Sequence, residues 1–263
     1  MTSPTDGGTP MTTSSSEPGS REGEPARPEG GIAQRLWTQL SAGLLDRVPR
    51  EQRDTDAAFH RRRVVAWTTL AVGAVCLALT LRMDRASPYF TLATLGVACI
   101  WFVGSFASGK LHAGRISVSG QMRRPVWPPL ILGAVLATVF VVGAFITRQI
   151  PPLAEQANNV LGFAEENSLL LLAVATLING IAEEFFFRGA LYASVKEPRQ
   201  VLVTTVAYVV ATLLTGNVML AFAAAVIGVV TGLQRRSTGG LVAPIITHLT
   251  WSMTMLFVLP LIF

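Results

Sequence analysis

The sequence predicts an all-α fold: a polytopic membrane bundle of about seven transmembrane helices behind a disordered N-terminal tail. Three observations predict it. Apolar residues make up 51% of the 263 residues and charged ones only 14%, with a mean hydropathy of +0.48, a composition suited to lipid. The apolar residues fall into long runs separated by short, charged loops. The charge is also divided: residues 1–59 carry six Arg and nine acidic groups, net −3, and residues 60–263 carry 15 basic and seven acidic groups, net +8.

Residues 1–30 are Ser, Thr, Pro, Gly and Glu with an isolated Met11. Such a stretch buries too little apolar surface to offset its ordering entropy, so a disordered tail is expected. No apolar core follows a basic start, which argues against a secretory signal. Residues 31–63 read as a cytoplasmic juxtamembrane segment. Within them Ile32, Leu36, Leu40 and Leu44 recur at helical spacing, as in a short amphipathic helix at a membrane surface. A loosely ordered segment is the alternative. The membrane domain covers 64–263, with spans at 64–81, 89–107, 127–147, 168–195, 201–214, 218–233 and 241–262. The fifth and sixth are short for a bilayer that asks for roughly 20 residues. Joined only by Thr215-Gly216-Asn217, they read as a short helical hairpin shielded by protein. Pro151-Pro152 and the run to Phe163 leave room for one more helix, lying at the interface.

The loop charges orient the chain. With the N-terminus in the cytoplasm, the inner loops hold Arg61, Arg62, Arg63, Lys110, Arg115, Arg123, Arg124, Lys196, Arg199, Arg235 and Arg236. The outer loops hold Arg82, Arg85 and Arg148. Positive charge gathers on the cytoplasmic side of membrane proteins, so the protein is expected in the cell (plasma) membrane with its N-terminus inside. The same placement accounts for the basic excess without a nucleic-acid partner. Cys76 and Cys99 lie within apolar runs and read as small core residues.

The chemistry concentrates in Ile178-Asn179-Gly180-Ile181-Ala182-Glu183-Glu184-Phe185-Phe186-Phe187-Arg188-Gly189. Ionisable groups at membrane depth cost about 2.5–3.5 kcal/mol each on insertion scales, so three within six residues need a reason. Glu184 and Arg188 are i,i+4 neighbours and can pair. Glu183 points about 100° away, leaving it without that partner. Further on, His248 and Ser252 share a helix face at the same spacing, after Pro244. A lone His in a membrane helix is also read as a packed, hydrogen-bonding residue.

Glu183-Glu184-Phe185-Phe186-Phe187-Arg188, a polar helix, then Pro244 and His248 resemble the CAAX protease and bacteriocin-processing (CPBP) family. This family of intramembrane endopeptidases includes the type II CAAX prenyl endopeptidases. The resemblance covers roughly residues 169–262, a protease-like core at 168–262. Two positions depart from the family pattern. Thr212, four residues after Tyr208, stands where a His is expected, and Ser252 stands where an Asn is usual.

The resemblance implies a membrane-embedded endopeptidase acting on protein or peptide substrates. Glu183, Glu184, Arg188, His248 and Ser252 would form its catalytic group. Glu183 would be the base that takes a proton from water, and His248, helped by Ser252 or Thr212, would stabilise the oxyanion. Glu184 and Arg188 would support them. A metal-assisted version uses Zn2+ held by Glu183 and His248; a metal-free version needs only the base and polar neighbours. Two alternatives accompany the protease: a catalytically impaired relative that binds or chaperones membrane partners, and a proton-coupled carrier. The carrier lacks the internal repeats common in transporters.

Overall fold

A computed structural model of the chain describes residues 31–48, 54–83, 87, 89–118, 121–166 and 168–263. The expected disordered tail, 1–30, lies outside the described residues. Those residues form nine helices: α1 (Ile32–Leu44), α2 (Asp56–Thr80), α3 (Phe90–Ser108), α4 (Trp127–Thr147), α5 (Pro151–Glu166), α6 (Leu169–Glu184), α7 (Gln200–Leu213), α8 (Val218–Thr238) and α9 (Val242–Val258). Six stretches are long and apolar enough to cross a membrane, and α7 is a shorter apolar helix. The protein is therefore an integral membrane protein, and its spans face outward with apolar side chains. Val103, Val139, Leu170 and Leu202 are all more than half exposed, a surface that lipid rather than water would cover.

Cys99, read as a core residue, is exposed, and four elements differ from the sequence reading. α2 begins at Asp56, not residue 64, because the Thr55 side chain accepts a hydrogen bond from Ala58 N at 3.3 Å and caps the helix early. α8 runs 21 residues to Thr238, so only α7, at 14 residues, is short. Its extra turn carries Gln234, Arg235 and Arg236 and stops at Gly239, which takes the left-handed conformation at φ 72°. The expected single helix at 168–195 is α6 followed by a π-helical segment, Phe185–Leu191. Finally, the α3–α4 connection holds a small antiparallel hairpin, β1 (Ile116–Val118) with β2 (Gln121–Arg123), in which Ser117 pairs with Met122.

The loop contacts respect the alternation of spans. At one end, Arg62 Nη2 donates to Lys110 O at 3.3 Å, joining the start of α2 to the end of α3. At the other, Arg82 Nη2 donates to Leu214 O at 3.1 Å, and Arg148 Nη1 to Ile262 O at 3.5 Å. α5 lies at that second end. Its Gln156 accepts from Val218 N, and its backbone oxygen accepts from the Asn217 amide, both at 2.8 Å, which pins the α7–α8 turn.

The core forms where α3 meets the π-helical segment. Trp101, fully buried, stacks on Phe186 with ring centroids 4.5 Å apart and touches Phe187 at 5.4 Å. Small residues bring the helices together: a Cβ on Gly73 of α2 would lie 2.3 Å from the Trp101 ring. Burying these large rings anchors the segment that carries Glu183, Glu184 and Arg188.

Candidate active site

α6, the π-helical segment, α7 and α9 supply the site. The two adjacent glutamates end α6 on different faces, and their environments differ accordingly. Glu184 is fully buried. Its Oε1 lies 3.2 Å from Arg188 Nη1 and accepts from His248 Nδ1 at 2.8 Å. One carboxylate oxygen therefore ties the π-helical segment to α9. His248 is 5% exposed and Arg188 1%. A buried charge persists only when paired, and this knot supplies each charge with a partner.

Glu183 remains partly exposed. Its Oε2 accepts the Tyr208 hydroxyl at 2.6 Å, a contact from α7 that bridges 25 residues of chain. Tyr208 also packs on Phe187 with the rings tilted by 44° and their centroids 4.5 Å apart, and the Arg188 guanidinium sits 4.9 Å from the Tyr208 ring centre. Glu183, Tyr208, Arg188, Glu184 and His248 thus form one continuous cluster.

Arg188 is held more by charge and ring faces than by hydrogen bonds. Its contact with Glu184 is close enough for an ion pair, yet none of its buried side-chain nitrogens makes a hydrogen bond among the described residues. Arg235, from the polar last turn of α8, secures the backbone instead: its Nε donates to Arg188 O at 2.7 Å. A π-helical turn leaves backbone carbonyls off the usual i→i−4 ladder, and such turns recur at functional sites.

The two departures from the family pattern are spent locally. Thr212 Oγ1 donates to Tyr208 O at 2.8 Å, back-bonding to its own helix. Ser252 Oγ donates to Leu249 O at 3.4 Å, and among the described residues it makes no hydrogen bond to Glu183, Glu184 or His248. The structure therefore joins four of the five expected residues and leaves Ser252 beside them on its helix. Tyr208 is the residue the sequence reading missed as a partner. The signal was its phenol at the aromatic position four residues before Thr212.

The zinc expected at Glu183 and His248 meets a donor set that does not fit it. Among the described residues, no three His, Cys, Asp or Glu side chains gather into a group that could hold a metal ion. Catalytic zinc takes three protein ligands as a rule. Here the His248 Nδ1 is engaged by Glu184, and a hydroxyl at Thr212 is a weak substitute for an imidazole.

Residues 165–254 match the family model described as type II CAAX prenyl endopeptidase Rce1-like. The matched segment runs from the end of α5 through most of α9 and includes the whole cluster. It is the same family that the Glu-Glu-x-x-x-Arg and His248 motifs resemble, and it implies the fold of a CAAX-type membrane endopeptidase. No curated protein and no solved structure matches the chain.

Proposed function

We propose that the chain is an intramembrane endopeptidase that cleaves membrane-associated proteins or peptides by glutamate-activated water attack. The observation that carries this reading is the contrast between the two glutamates. Glu184 is sealed in an ion-paired knot, while Glu183, a helix position away, is only partly buried and, among the described residues, is held by a single phenol. A base must reach its water, and a support need not.

In this reading Glu183 takes one proton from water as the water oxygen bonds to the scissile carbonyl carbon. The carbonyl electron pair moves onto its oxygen. Collapse of the tetrahedral intermediate breaks the C–N bond, and the proton on Glu183 passes to the departing amine. The Tyr208 hydrogen bond fixes which face of Glu183 meets the water. Glu184 orients the His248 ring through Nδ1 and leaves Nε2 to act. Donation from His248 Nε2 to the developing oxyanion then supplies the contribution of an oxyanion hole. The buried Arg188 supplies further positive potential at the same place. The positive-inside loop charges support a site toward the cytoplasmic face, with the N-terminus inside.

One observation favours a second reading, a non-catalytic protein that binds membrane partners. Thr212 stands in place of an imidazole, and its hydroxyl is turned back to its own helix. Loss of proteolysis in a folded Glu183→Gln protein is the test between the two.

A further inference from the structure

A cavity of about 800 Å³, lined by neither Glu183 nor Glu184, lies at the end of the bundle where α2 and α7 begin and where α3 and the π-helical segment end. The described lining residues include five cations, Arg47, Arg62, Lys110, Lys196 and Arg235, against two carboxylates, Asp54 and Glu197. Each carboxylate is already taken. Asp54 pairs with Arg62 at 2.6 Å, and Glu197 with Arg47 at 3.5 Å. Among the described residues the lining therefore keeps more cations than carboxylates. Lys110 and Lys196 are exposed, and neither forms a salt bridge among the described residues.

The cavity is also built, rather than being a patch of loose surface lysines. Arg62 and Arg235 are only 3% and 6% exposed, and each is held in place from the protein side. Arg62 is fixed by Asp54 and the Lys110 carbonyl, Arg235 by the Arg188 carbonyl and the Tyr192 ring. Gln200, the first residue of α7, lines the same space, and Arg199 before it offers no side-chain cap. The amide groups that start a helix are unpaired donors at the positive end of its dipole, suited to an anion. Phe59 and Val195 add apolar wall to the polar mouth.

The geometry points to a phosphate-binding site at this end of the bundle, occupied by the phosphodiester headgroup of an anionic phospholipid. Fixed arginines, exposed lysines and a helix start match the oxygens of a phosphate, and the apolar wall matches the glycerol and first methylenes of a lipid. Basic pockets between membrane helices bind such headgroups. Because Arg235 holds both this cavity and the Arg188 carbonyl, the headgroup sits against the π-helical segment that follows the two glutamates.

The test uses the full chain in neutral detergent, with bound phosphatidylglycerol counted by native mass spectrometry. Glycerol 3-phosphate, measured by equilibrium dialysis, is the soluble probe. Lys110→Gln with Lys196→Gln should weaken phosphatidylglycerol binding about 30-fold, as two surface cations would. Lys110→Arg with Lys196→Arg should retain it. Arg61→Gln with Arg124→Gln removes the same charge outside the cavity and should change binding by no more than about twofold. Binding of glycerol 3-phosphate alone, with the same lysine dependence, keeps the phosphate site and assigns it to a soluble ester. Equal weakening by both glutamine pairs, or no binding of either probe to the wild type, overturns the site.

Discussion

Tyr208 on α7 donates its hydroxyl to Glu183 Oε2 at 2.6 Å, and the same ring lies under the Arg188 guanidinium. One side chain thus connects the open glutamate to the cation paired with the buried one. Tyr208→Phe keeps the ring and removes only the hydroxyl. A hydrogen bond to a charged group contributes about 1.5–3 kcal/mol, so the cleavage rate should fall roughly 10- to 100-fold. The loss should appear in kcat more than in KM, with a thermal midpoint close to the wild type.

The Glu184 knot should behave as a structural unit. Glu184→Gln leaves Arg188 buried beside a neutral group, and breaking a buried pair in this way costs about 3–5 kcal/mol. Thermal unfolding in detergent should drop sharply for Glu184→Gln and for Arg188→Met. The double variant should lose less than the two single losses added together, the signature of direct coupling. Additive losses would remove the ion pair from the account.

The α3–β1 connection and the α8–α9 turn meet backbone to backbone. Leu241 N and Val242 N donate to His112 O and Ala113 O, each at 3.0 Å. A Cβ on Gly240 would lie 2.0 Å from Gly114 N, so Gly240→Ala forces these strands of chain apart. A loss of roughly 1–3 kcal/mol is expected from such overpacking. Gly143→Ala is the control: among the described residues nothing lies within 4 Å of its Cβ position, and alanine favours the helix.

Chelation separates the metal-assisted and metal-free versions. With two strong donors and a hydroxyl at Thr212, cleavage should proceed unchanged after treatment with 1,10-phenanthroline or EDTA. Activity lost to the chelator and restored by zinc would place a metal in the reaction.

The membrane bundle was legible because lipid imposes long apolar runs, and the alternating loop charges matched the contacts of Arg62, Arg82 and Arg148. The Glu184–Arg188 contact was legible because i,i+4 spacing is local. Tyr208 and Glu183 meet through tertiary packing, and an aromatic in an apolar helix reads as core. The end of α8 was hidden for a related reason. Gln234-Arg235-Arg236 looks like a loop by hydropathy, but Gln234 donates to Thr247 at 2.8 Å and Arg235 to the Arg188 carbonyl. The π-helical segment carries no sequence mark, and its Phe186 and Phe187 pack on Trp101 from a distant helix.

The most direct measurement compares protein N-termini in the membrane fraction of cells carrying the wild type with cells carrying Glu183→Gln. Both proteins must be present at equal levels and inserted. The account predicts peptide ends that occur with the wild type and vanish with Glu183→Gln, which would identify the substrate together with the reaction. Matching sets of ends from the two proteins would contradict proteolysis and favour the partner-binding reading.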